Sequence, residues 1–215
     1  MFESEKRAVL RTCHDLVEND VVRNTGSAGN VSVRPAEADD RIVITPSKIR
    51  YDTMDAEDML VLDRSGEVIE SPSGYDPSSE TPMHLFVHDT IEDARAVVHS
   101  HPSYALSLGT HMDRLPTTHI EQAYFLGDHV PVIDYVPTGS EEMGDAVSDA
   151  LTDSDAVLIR HHGLITVGED LPEAIERTFA VESNATIHYR AGLSGEVVPM
   201  PAESLERLQN PDADL

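Results

Sequence analysis

Apolar positions along this chain come in short runs whose period switches between helical spacing and strict alternation. Val9, Leu10, Cys13, Leu16 and Val17 recur at helical spacing and predict an amphipathic helix over 3–20. Gly26 and Gly29 interrupt, and the stretches 30–34 and 41–44 then read as paired short strands. Asp55 predicts the cap of a short helix, followed by a strand at 59–63, a Ser65-Gly66 turn and a return strand. Thr81-Pro82 predicts a helix start with Thr81 as N-cap, the helix running to about Asp93. A strand over 96–101 follows, and Pro102 opens another helix. Further on come a strand at 130–133, a helix from Ser140 to about Leu151, and strands at 156–160 and 164–167. Asp170-Leu171-Pro172-Glu173 reads as a capping box for a last long helix to about Ala191.

Helices alternating with short strands, two of the connections being hairpins, predict an α/β fold. The expected architecture is a three-layer α/β/α domain with a central, largely antiparallel mixed sheet. One domain is expected over 1–200, with 201–215 an acidic, frayed tail. At 215 residues and 40% hydrophobic content, one domain can bury a sizeable core. No apolar run approaches the roughly 20 residues of a membrane helix. The charged start Met1-Phe2-Glu3-Ser4-Glu5-Lys6-Arg7 has no apolar stretch behind it and predicts the cytoplasm. Cys13 is the only cysteine, which excludes an intrachain disulfide and a cysteine metal cluster.

Charge changes the picture. Forty acids face fifteen bases, a formal net charge of -25, and only Lys6 and Lys48 are lysines. Such a surface repels phosphate backbones, so nucleic acids and anionic membranes are excluded as partners. The acids are scattered and the apolar periodicity persists, which predicts a folded protein from a high-salt cytoplasm, where salt screens self-repulsion.

The candidate chemistry lies at strand ends. His99-Ser100-His101 closes the strand that begins at Ala96. Residues two apart on a strand point the same way, so the two imidazoles project together as a pair of metal ligands must. His161-His162-Gly163 ends the apolar run 156–159, and one of these histidines is a candidate third ligand. Three histidines with open positions are the pattern of a catalytic zinc site. Glu80, just before a predicted helix, reads either as a favourable charge at the helix dipole or as a general acid/base beside a metal. The loops 26–30 and 45–48, with Ser78 and Ser79, are either ordinary turns or phosphate cradles of N–H and hydroxyl donors. His84 and His88 lack the glutamate of the zinc-protease motif and read as solvated or capping residues. Lys6 reads as exposed, and Cys13 as core.

Read in order, Gly-Ser-Ala-Gly-Asn-Val-Ser-Val-Arg (26–34), Ile-Thr-Pro-Ser-Lys-Ile (44–49), Pro-Ser-Ser-Glu (77–80), Val-Val-His-Ser-His-Pro (97–102) and His-His-Gly-Leu-Ile (161–165) resemble the class II aldolase/adducin N-terminal family over about residues 5–195. The resemblance implies that His99, His101 and His162 bind one Zn2+ (or another divalent metal) per subunit and that Glu80 is the catalytic acid/base. It implies that Ser27, Asn30, Ser47, Lys48, Ser78 and Ser79 hold a substrate phosphate. The implied activity is aldol cleavage of a ketose 1-phosphate, of the L-fuculose 1-phosphate type, through a zinc-stabilised enediolate, in a homotetramer. Alternatives in the family are epimerisation of ribulose 5-phosphate and dehydration of methylthioribulose 1-phosphate. The epimerase carries aspartate where this chain has Glu80, so the glutamate favours cleavage. A non-catalytic, adducin-like interaction domain predicts lost ligands, yet all three histidines are present. The chain departs from the family at Lys48, where glycine is common, and at Ile120, where fuculose-type members carry a tyrosine after the histidine; Tyr124 is the nearest replacement.

Overall fold

The protein is described by a computed structural model covering residues 1–25 and 28–209. Among the described residues nine strands form one sheet: β1 (Asn30–Val33), β2 (Arg41–Ile44), β3 (Leu60–Asp63), β4 (Val68–Glu70), β5 (Ala96–Ser100), β6 (Arg114–Pro116), β7 (His129–Ile133), β8 (Ala156–Ile159) and β9 (Gly163–Gly168). Their order is β4-β3-β2-β1-β5-β9-β8-β7-β6. Every neighbouring pair is antiparallel except β7–β8, so the sheet is mixed and largely antiparallel.

Helices cover both faces: α1 (Glu3–Glu18), α2 (Thr81–Thr90), α3 (Ser103–Gly109), α4 (Ile120–Leu126), α5 (Glu141–Leu151), α6 (Leu171–Gly192) and α7 (Ala202–Gln209). Alternation along β5 shows how the layers form. Ala96 and Val98 pack with Val9, Cys13 and Leu16 of α1 and Ala174 of α6. Val97 points the other way, into the core with Met83 and Val87 of α2 and Met143 and Val147 of α5. His99 therefore shares the α2 side of the sheet.

Local signals act as expected at several helix starts. Ser140 Oγ accepts from Met143 N at 3.2 Å. Asp170 Oδ1 accepts from Glu173 N at 2.8 Å, but the Glu173 carboxylate reaches back to Glu169 N, one residue beyond the N-cap, so the box is not reciprocal. At α2 the N-cap is Glu80 rather than Thr81, which moves Pro82 to the second helical position, and the helix stops at Thr90 rather than near Asp93.

Other expectations are corrected. Lys6 is fully buried, its ammonium 2.5 Å from the Glu70 carboxylate at the sheet edge, because that pairing lets a lysine leave water. Of the tail expected over 201–215, residues 202–209 are helical, with Leu205 buried and Met200 N donating to Thr117 O just before the helix, while 210–215 lie outside the described residues. The short elements β6 and α4 have no counterpart in the sequence pattern, since β6 buries a single apolar side chain, Leu115. Among the described residues, no helix is long and apolar enough to cross a membrane.

Candidate active site

Sheet register assembles the site. Asn30, the first residue of β1, pairs with His99 of β5, and His99 pairs with Ile165 of β9. The β8–β9 hairpin closes at the same end, with Ile159 opposite Gly163, so the turn carrying His161 and His162 sits beside the end of β5. His161 takes the left-handed conformation (φ 61°) that closes this turn. Gly163 is required for space rather than for backbone freedom. A Cβ there would collide with the His99 ring and come within 2.8 Å of His101 Cδ2 and 2.9 Å of Ser100 O. Only glycine leaves room for the two rings.

His99, His101 and His162 each offer one ring nitrogen, and the three lie within 4.8 Å of one another. His162, not His161, is thus the histidine that joins the pair. His99 Nδ1 faces the Leu164 carbonyl at 3.1 Å. A carbonyl only accepts, so Nδ1 carries the proton and Nε2 presents a lone pair. That lone pair is 3.1 Å from His101 Nε2 and 3.1 Å from Glu80 Oε2. Glu80 Oε1 is 3.0 Å from His162 Nε2, in ion-pair range but without hydrogen-bond alignment. Electron-pair donors converging on one point, one of their rings held by a backbone carbonyl, fit a bound divalent cation.

Electrostatics follow burial and neighbours. Burial lowers His99 and His101, the latter to about 3, and the Glu80 carboxylate opposes the shift at both rings. Burial pushes the Glu80 carboxyl up, but the His99 and His162 rings and the Asn30 amide outweigh it and hold the group well below the usual carboxylate range. Glu80 is 5% exposed and ionised.

Above the rings opens a cleft of about 350 Å³ lined by Asn30, Ser47, Lys48, Ser78, Ser79, Glu80, His101 and His162, with Arg23 at its edge. His99 is fully buried beneath them. The structure thus brings together every predicted site residue except Ser27, which lies outside the described residues. Their donors are more restricted than the loop sequence suggests. Ser47 N donates to Asp76 O and Ser78 N to Thr45 O, so these two residues offer hydroxyls rather than N–H groups. The Ser78 oxygen accepts from Glu80 N, leaving its own proton for a ligand. Asn30 turns its amide to Glu80, 2.7 Å from Oε2, which leaves one amide hydrogen for the cleft. Lys48 adopts a left-handed conformation (φ 62°), the physical reason glycine suits this position. Tyr124 is 67% exposed on α4 and does not line the cleft.

His84 and His88 were missed as functional neighbours. Both are buried, not solvated: His84 Nε2 contacts Asn30 Oδ1, and His88 Nε2 is 2.8 Å from Ser32 Oγ. The available signal was their i, i+4 spacing four and eight residues after Glu80, on the helix face it caps.

This fold and site define a class. Residues 7–189 match the profile of the Class II Aldolase and Adducin N-terminal domain family, and the chain belongs to that family. It is 33% identical over 192 residues to an L-fuculose phosphate aldolase of Haemophilus influenzae, covering 89% of this chain and 85% of that protein. It is 30% identical over 208 residues to a 5-deoxy-D-ribulose 1-phosphate aldolase of Bacillus thuringiensis serovar kurstaki, covering 97% and 95%. A solved L-fuculose 1-phosphate aldolase structure superposes with a TM-score of 0.89 at 32% identity, covering 97% of this chain and 95% of the other.

Proposed function

We propose that this protein is a zinc-dependent aldolase that cleaves a ketose 1-phosphate to dihydroxyacetone phosphate and a short aldehyde. The observation that carries the reading is the convergence of three imidazoles on one point beside an ionised, buried Glu80 at the base of a polar cleft. The names of similar proteins support aldol cleavage and point to two substrate types, L-fuculose 1-phosphate and 5-deoxyribulose 1-phosphate.

His99, His101 and His162 hold the cation. A bound divalent metal supplies Lewis-acid stabilisation of negative charge developing on the substrate oxygens. The Lys48 ammonium and the hydroxyls of Ser47, Ser78 and Ser79 take the phosphate, with Ser27 and the remaining Asn30 amide hydrogen. Lys48 gives this cleft a positive charge within a strongly acidic chain. Phosphate binding orients C3 of the sugar toward Glu80. When the C3–C4 bond breaks, the C4 hydroxyl becomes the aldehyde carbonyl and gives up its proton, the bonding pair stays with C3, and the Glu80 carboxylate takes up a proton and returns it to C3; in the condensation direction Glu80 removes the C3 proton and the aldehyde oxygen regains one. The working form is a cytoplasmic homotetramer with one metal per subunit.

A product assay on a panel of ketose 1-phosphates, with ribulose 5-phosphate included, tests the reading. Fragments of three carbons plus an aldehyde are expected. Epimerisation without fragments, or full turnover after chelation with no metal restored, overturns it.

A further inference from the structure

Behind Glu80 a file of polar side chains crosses the core between β1 and α2. Glu80 Oε2 accepts from Asn30 Nδ2 at 2.7 Å, and Asn30 Oδ1 meets His84 Nε2 at 2.5 Å. His84 Nδ1 is 2.7 Å from Ser32 Oγ, the same oxygen is 2.8 Å from His88 Nε2, and His88 Nδ1 is 2.8 Å from the Ala94 carbonyl. Asn30, Ser32, His84 and His88 are all buried.

The roles of these atoms follow from the groups that only accept. Asn30 donates its NH2 to Glu80 Oε2, which turns the Asn30 carbonyl toward His84. That carbonyl only accepts, so His84 carries its proton on Nε2 and leaves Nδ1 to accept the Ser32 hydroxyl. At the far end, the Ala94 carbonyl places the His88 proton on Nδ1. Ser32 has one proton between two facing ring nitrogens and serves one at a time.

We infer that His84 is a positioning residue that locks the Asn30 carboxamide in the one orientation that anchors Glu80 Oε2. The anchor leaves Oε1, which makes no hydrogen bond among the described residues, as the oxygen that moves the substrate proton. This rests on Glu80 acting as the acid/base. Without the His84 N–H, the carboxamide is free to turn its carbonyl against the carboxylate, and the anchored oxygen loses its donor. The role is distinct from phosphate binding, because His84 lies in the core and does not line the cleft.

Long-range 1H–15N spectra of the histidine rings test the lock on the wild-type chain without substrate. A His84 proton on Nε2 is expected. A proton on Nδ1 overturns the inference, because Asn30 would then present its N–H to His84 and its carbonyl to Glu80. Kinetics test the consequence. His84→Phe lowers kcat by roughly 10- to 100-fold, the indirect loss of the Asn30 hydrogen bond to the charged Glu80, and leaves KM within about twofold and metal content unchanged. His84→Gln, whose amide nitrogen reaches the same carbonyl, stays within about threefold of the wild-type kcat. Asn30→Ala combined with His84→Phe is no slower than Asn30→Ala alone, since His84 acts only through Asn30. Multiplying losses in the double variant, or equal losses for Phe and Gln, overturn the inference while aldol cleavage stands. If His84→Phe fails to fold, the ring tautomer and the Gln variant decide. If the wild type cleaves no ketose 1-phosphate, the assignment of Glu80 fails, and the tautomer alone decides the lock.

Discussion

Gly163→Ala is a one-carbon change aimed at the metal site from behind. The added Cβ collides with the His99 ring and lies 2.8 Å from His101 Cδ2 and 2.9 Å from the Ser100 carbonyl. Two of the three contacts cannot yield cheaply. The His99 ring is fully buried and tied to Leu164 O, and Ser100 lies within a paired strand. Overpacking of this kind costs about 1–3 kcal/mol. For a chain of this length, each kcal/mol lowers the melting temperature by about 2–4 °C. Displaced rings also lose their common focus, and disturbed ligand orientation typically weakens metal binding by about 10- to 100-fold. The assay is thermal unfolding of the metal-free chain together with zinc competition against a chromophoric chelator. Gly195→Ala is the control, since a Cβ there meets nothing within 4 Å. If Gly163→Ala melts with the wild type and binds zinc as tightly, the argument from ring crowding is wrong.

Three further outcomes follow from the same geometry. Glu80→Gln keeps its metal and loses most turnover, whereas His101→Ala loses metal as well; elemental analysis beside the product assay separates the two, and an active Glu80→Gln refutes the acid/base role. Burial lowers His88 to about 4 from an ordinary 6.5, so above pH 6.5 the ring is neutral in both states and costs nothing. As pH falls from 6.5 towards 4 the unfolded chain takes up a proton the folded chain refuses, a loss of about 2 kcal/mol by pH 5 from this ring alone. Denaturant midpoints of the metal-free protein at pH 7 and pH 5 check it, and equal midpoints would contradict a buried neutral His88. The net charge of -25 predicts that the melting temperature falls steadily from molar salt to dilute buffer; a salt-independent value removes the argument for a high-salt origin.

Element type was legible wherever period and cap coincided. The Ser140 and Asp170 starts and the β1–β2 and β8–β9 pairings needed only local pattern. His99 and His101 were legible as a pair for the same reason, since strand alternation is a local rule. Their partner was not. Nothing in His161-His162-Gly163 says which ring turns inward; that depends on the left-handed bend at His161 and on the hairpin lying beside β5.

By itself, then, the sequence determined the alternating elements, the acidic surface and the residue types able to hold a cation and a phosphate. Tertiary structure alone decided that His84 and His88 are buried, that Lys6 leaves water for Glu70, and that Asn30 faces Glu80. Each of these turns on a polar group finding its partner across 50 or more residues, as the 50-residue separation of Asn30 and Glu80 shows. Burial of a polar side chain becomes affordable only once that distant partner is in place, and local periodicity carries no record of it.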